Sequence, residues 1–124
     1  MLDDKEPIAT VAVRDLSVAK KFYRDMLGLT LADESSEVLT FMAGAFRLFV
    51  YRSGFAGTNQ ATAVTWAVGG ETGEIVKALG AKGVKFEHYD MAPFKLEGDL
   101  HVGGGMKVAW FKDPDGNILS INGM

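Results

Sequence analysis

The sequence predicts an α+β domain in which a strand–helix–three-strand order runs through twice. Three observations predict it. Short β-branched strands alternate with only two helical stretches. Glycine-containing turns join consecutive strands as hairpins, which argues against a doubly wound parallel sheet. The pattern that starts at Ile8 starts again about 55 residues later, with Val13 aligning on Val68. The repeat is one of pattern, and identity between the halves is low.

Each element has a local reason. Ile8 to Val13 is β-branched and alanine-rich, a short strand. Asp15 or Ser17 can accept hydrogen bonds from the first free N–H groups of a helix, so a helix starts there. Val18, Phe22 and Met26 recur at helical spacing, with Ala19, Tyr23 and Leu27 beside them, and form one apolar face. Gly28 suits the left-handed position that ends a helix, and Leu29 folds back on the last turn. Strands follow at Thr30–Ala32, Val38–Met42 and Phe46–Arg52, with Ala43-Gly44-Ala45 as the hairpin turn between the last two. Ser53 to Gln60 is a polar connection containing glycine.

The second round begins with a strand at Thr62–Val68. Thr72–Lys82 is a helix with Ile75, Val76 and Leu79 inward, closed by Gly83. Val84–Tyr89 reads as a strand and Met91–Gly98 as irregular. Leu100–Val102 and Met106–Phe111 are strands around Gly103-Gly104-Gly105. In Asp113-Pro114-Asp115-Gly116 proline presets the first φ and glycine tolerates the last, which makes a turn. Ile118–Asn122 is the closing strand.

Composition excludes several function classes. The 124 residues form one domain, 1–124, with modules at about 7–53 and 61–123. Hydrophobic residues make up 48%, enough for a real core. Thirteen basic and 16 acidic residues leave a net charge of −3, no footprint for nucleic acid. The absence of cysteine rules out disulfides, thiolate metal sites and cysteine nucleophiles. Met1 to Pro7 is polar and acidic, unlike a signal peptide. No apolar run approaches the roughly 20 residues of a membrane span. A cytoplasmic location is expected, with no membrane or nucleic-acid partner.

Two stretches carry a resemblance. The first is Val13–Leu29, through Asp15, Ala19, Phe22, Tyr23, Leu27 and Gly28. The second is Phe111–Leu119, through Asp113-Pro114-Asp115-Gly116-Asn117. An apolar helix face or a generic turn alone says little, but together, in this order and at this separation, they resemble the glyoxalase/bleomycin-resistance/dioxygenase family. This is the vicinal oxygen chelate superfamily, and the resemblance covers nearly the whole chain. It implies two βαβββ modules forming a curved sheet around a cleft, and a homodimer. Enzymes of the family hold a divalent metal with His and Glu on facing strands. The matching positions here are Ile8, Phe49, Ala63 and Ser120. Alkyl and phenyl groups donate nothing to a metal, and a lone Ser hydroxyl binds weakly.

The strand faces that would carry those ligands point to a different use. The expected ligand-binding residues are Arg47, Phe49, Tyr51, Thr65, Ser120 and Asn122, with Thr10 beside them. That surface is neutral and partly aromatic with one fixed cation, suited to a small hydrophobic or aromatic molecule. Arg47 can fork a carboxylate or phosphate. Trp66 and Trp110 are placed on the alternate faces of their strands, as core or interface anchors. The function expected is metal-independent binding of a small molecule without a cofactor, as the resemblance to the bleomycin-resistance branch implies; no catalytic residue is identifiable. One alternative is a metal-dependent lyase, isomerase or dioxygenase with a divalent metal on His88 and His101 plus Glu97 or Asp99, a two-His-one-carboxylate set. Another is a non-catalytic dimer whose cleft is filled by its own side chains.

Overall fold

The computed structural model describes residues 1–123; Met124, the last residue of the expected domain, lies outside them. The first module contains β1 (Ala9–Val13), α1 (Leu16–Lys20, continued by a π-helix over Lys21–Met26), β2 (Thr30–Glu34), β3 (Val38–Ala43) and β4 (Phe46–Arg52). The second contains β5 (Thr62–Ala67), a 3₁₀ turn at Gly69–Glu71, α2 (Thr72–Ala81), β6 (Phe86–Glu87), β7 (Lys95–Glu97), β8 (Leu100–Gly103), β9 (Met106–Lys112) and β10 (Ile118–Gly123). The sheets run β1-β4-β3-β2 and β5-β10-β9-β8-β7. In each module the first and last strands pair in parallel, β1 with β4 and β5 with β10. The repeat expected from sequence is therefore one of topology, with five strands instead of three after the helix of the second module.

The first helix starts where expected. Asp15 caps it, its Oδ1 accepting from the amides of Ser17 at 2.9 Å and Val18 at 3.3 Å and from the Ser17 hydroxyl at 2.6 Å. Those bonds, the hydroxyl's first, hold the Asp15 carboxyl below the usual aspartate value. The second half of the helix departs from the expected α geometry. Leu27 N–H reaches back to the Phe22 carbonyl, a π-type spacing that packs one extra residue into the turn. Phe22 and Tyr23 are thereby both buried, in edge contact at 5.2 Å. Val18, expected on the apolar face, is 46% exposed. Gly28, at φ +77°, ends the helix, and Leu29 N–H returns to the Tyr23 carbonyl.

Two segments of the second module differ from expectation. The strand over Val84–Tyr89 contracts to β6, which pairs only Phe86 and Glu87 with β9. The rest of that β9 edge is taken by β8, so β6 and β8 meet it end to end. The segment expected to be irregular contains β7, which pairs with β8 through Lys95, Leu96 and Glu97.

One core serves both modules. Val11, Val13, Leu39, Phe41, Leu48 and Val50 of the first sheet pack with Ala19, Phe22 and Tyr23 of the first helix. Phe111, Leu119 and Ile121 of the second sheet join the same cluster. Both sheets thus turn their helix-bearing faces toward each other, and their other faces lie on the far side from the core. Among the described residues no helix is long and apolar enough to cross a membrane.

Candidate functional site

The turn between β9 and β10 fastens the modules. Asp113 is buried, and its Oδ1 accepts from the amides of Asp115 at 3.0 Å and Asn117 at 2.9 Å. Its Oδ2 accepts from the Tyr23 hydroxyl at 2.7 Å and the Asn117 side-chain amide at 2.8 Å. Asn117 also donates to the Ala12 carbonyl at 2.7 Å, and Asp115 accepts from the Arg14 amide at 3.2 Å. Burial, and then the Asp113 charge, push the Tyr23 hydroxyl above the usual tyrosine value. Tyr23 and the Asp-Pro-Asp-Gly-Asn turn, the residues that carry the resemblance, therefore act as an inter-module clasp.

The expected binding residues occupy two separate faces. Arg47, Phe49 and Tyr51 alternate along β4 on the face away from the core, with Phe49 opposite Thr10 and Thr40. Arg47 and Tyr51 are exposed and Phe49 is half-buried. Thr65, Ser120 and Asn122 share the corresponding face of the second sheet. Thr65 and Ser120 face each other, their hydroxyl oxygens 2.6 Å apart, and Ser120 is buried. The single cleft expected to join all six is not assembled within one chain, because the sheets meet through their opposite faces. Only Arg47 and Thr65 reach a common cavity.

Trp110 also differs from expectation. It pairs with Ser120 across the antiparallel β9–β10 ladder and so shares its face instead of the alternate one. Its indole N–H donates to Thr62 Oγ1 at 3.2 Å.

The metal question turns on donor chemistry. Ile8, Phe49 and Ala63 have no side-chain donor atom, and the Ser120 hydroxyl is already engaged with Thr65. These residues do not fit a divalent cation. The displaced set around His88 and His101 does not form either. His101 is 1% exposed; its Nε2 accepts from the Tyr89 amide at 2.9 Å, and its Nδ1 lies 3.2 Å from the Val108 carbonyl. Both ring nitrogens are taken by backbone, and the ring packs edge-on against Trp110 at 4.8 Å. His88 is exposed, its Nε2 2.8 Å from Asp99 Oδ1. Among the described residues no three His, Cys, Asp or Glu side chains converge as a metal site.

A cavity of about 740 Å³ lies where the modules meet, within the range of small-molecule pockets. Leu27, Leu29, Trp66, Ile75, Leu79, Phe111 and Ile121 supply apolar walls. The edge strand β5 contributes residues from both its faces, Trp66 from one and Thr65 from the other. Among the described residues Arg47 is the one charged residue lining it, and the residues with polar side-chain atoms beside it are Thr30, Thr65 and Trp66. Leu27, Trp66 and Leu79 read in sequence as ordinary packing, and nothing in their spacing marks a cavity.

The sequence model of the Glyoxalase/Bleomycin resistance protein/Dioxygenase superfamily matches residues 7–121. No curated protein matches the chain. Solved structures share its fold. A glyoxalase family protein from Enterococcus faecalis superimposes with a TM-score of 0.74 at 19% identity, covering 98% of this chain and 99% of that one. The lactoylglutathione lyase of Agrobacterium tumefaciens gives 0.73 at 18% identity, covering 97% and 93%. The fosfomycin resistance protein FosX of Listeria monocytogenes, solved with Mn(II) and sulfate, gives 0.72 at 17% identity, covering 99% and 91%.

Proposed function

The chain belongs to the Glyoxalase/Bleomycin resistance protein/Dioxygenase superfamily, and from that premise we propose that it binds a small apolar or aromatic molecule without a metal, in the cavity between its modules. What carries the reading is the pairing of two features. The positions that hold metal in the family's enzymes are filled by Ile8, Phe49, Ala63 and a hydrogen-bonded Ser120. An apolar cavity of about 740 Å³ lies elsewhere in the same chain. An aromatic wall residue such as Trp66 contributes contact area at low entropic cost. The protein would act by binding alone, since among the described residues no nucleophile or general base with a positioned partner lines the cavity. The outer sheet faces, with Thr10, Tyr51 and Thr65 exposed, are the surfaces a second copy would cover in a homodimer.

The test is a fluorescence titration with the neutral probe N-phenyl-1-naphthylamine, with and without EDTA. Saturable binding of one probe per chain is expected, unchanged by EDTA and weakened by Leu79→Trp, which fills the cavity. No saturable binding, or binding abolished by EDTA, overturns the reading.

A further inference from the structure

The charge pattern of the cavity says more than its shape. Apolar side chains dominate its wall, and among the described residues no acidic one lines it. Arg47 enters from β4 with its guanidinium uncommitted. It makes no ion pair and no side-chain hydrogen bond among the described residues. The contrast within the chain is informative. Arg14, Arg24 and Arg52 each sit within ion-pair distance of a carboxylate: Asp115, Asp25 and Glu37. Arg47 alone of the four arginines lines this apolar cavity.

A guanidinium presents paired N–H donors that match the two oxygens of a carboxylate. Next to an apolar wall, water competes less well for such a pair, which strengthens it. The net donor count favours one negative charge over two. The Thr65 hydroxyl is engaged with Ser120, so Arg47, Thr30 and the Trp66 indole N–H are the side-chain donors left. A phosphate dianion would have one cation for two charges and several unsatisfied oxygens.

We infer that the cavity selects small apolar monocarboxylates, an alkyl or aryl tail within the walls and the carboxylate on Arg47. This rests on the reading of the cavity as the binding site, and it names the class of ligand.

The experiment displaces N-phenyl-1-naphthylamine with three molecules sharing one tail: decanoate, decanol and decyl phosphate. It is run on the wild type and on Arg47→Met and Arg47→Lys. Unchanged thermal unfolding of the variants, expected for an exposed side chain without partners, controls for folding. In the wild type decanoate should displace the probe about tenfold more tightly than decanol, the ratio that about 1.4 kcal/mol of charge-assisted pairing gives. Decyl phosphate should do no better than decanoate. With displacement referred to each variant's own affinity for the probe, Arg47→Met should bring the acid and the alcohol together, and Arg47→Lys should keep part of the preference. Equal displacement by acid and alcohol in the wild type, or a preference that survives Arg47→Met, overturns the inference and leaves the cavity reading standing. Tighter binding of the phosphate overturns the charge argument. Failure of the probe to bind at all removes both.

Discussion

Replacing Tyr23 by Phe removes one hydroxyl from the centre of the molecule and nothing else. That hydroxyl donates to Asp113 Oδ2 at 2.7 Å, with Tyr23 fully buried and Asp113 5% exposed. A hydrogen bond to a charged group contributes about 1.5–3 kcal/mol. Oδ2 keeps a second donor, the Asn117 amide at 2.8 Å, so the carboxylate is not left bare. The expected loss is therefore about 2 kcal/mol. At about 4 °C per kcal/mol for a domain of this size, the melting temperature falls by about 8 °C. The pH dependence gives an independent check. The folded-state pKa of Tyr23 is raised, so its contribution is fully present below the unfolded value, about 10, and is lost as pH rises through the folded value. Urea denaturation of both proteins from pH 7 to 11 should show a constant gap up to about pH 9 that narrows above pH 10. A gap below about 0.5 kcal/mol at pH 7, the range of ordinary surface substitutions, would refute the clasp. So would a gap that widens in alkali.

Three further outcomes follow from the same geometry. His101→Ala should cost about 3 kcal/mol in urea denaturation, because it empties a buried site and strands the Tyr89 amide and the Val108 carbonyl; it should leave the protein's metal content unchanged. Gly28→Ala and Gly57→Ala should separate cleanly. Both glycines have positive φ, but a Cβ at Gly28 meets open space whereas one at Gly57 would overlap the Asp115 carbonyl. The first should cost about 1 kcal/mol and the second roughly 3 kcal/mol, read from thermal unfolding. Light scattering behind size-exclusion chromatography should give the mass of two 13.4 kDa chains, and Tyr51→Glu, on an outer sheet face, should shift it toward one.

Much of the fold was legible because its boundaries are chemical. Asp15 as a cap, Gly28 and Gly83 at helix ends, and the Asp113–Gly116 turn each demand a local conformation that the sequence states outright. What was not legible depends on partners. The π-helical half of the first helix differs from an α-helix by one residue of hydrogen-bond spacing, which leaves no mark in composition. The contraction of Val84–Tyr89 to β6 follows from competition with β8 for one edge of β9, a tertiary fact. Lys95–Glu97 has the composition of an exposed loop and is a strand only because β8 pairs with it. Alternation along β9 separates Trp110 from Phe111, but which of them faces with Ser120 is set by register between strands. The candidate site was legible by halves. Equivalence of the modules identifies Phe49 and Ser120 as corresponding positions, yet it does not say whether their faces meet in one chain. The shared core takes up the other face of each sheet, and of the six expected residues only Arg47 and Thr65 line a common cavity. The cavity walls are apolar residues at core spacing, so only their packing reveals that they leave space.

Metal content decides most directly whether this chain has left the metal chemistry of its superfamily. Untagged protein, purified without chelators, is measured by inductively coupled plasma mass spectrometry against protein concentration. The donor-free positions Ile8, Phe49 and Ala63, the committed Ser120 and the backbone-bound His101 predict transition metal well below one ion per chain. A stoichiometric transition metal would contradict the metal-independent reading.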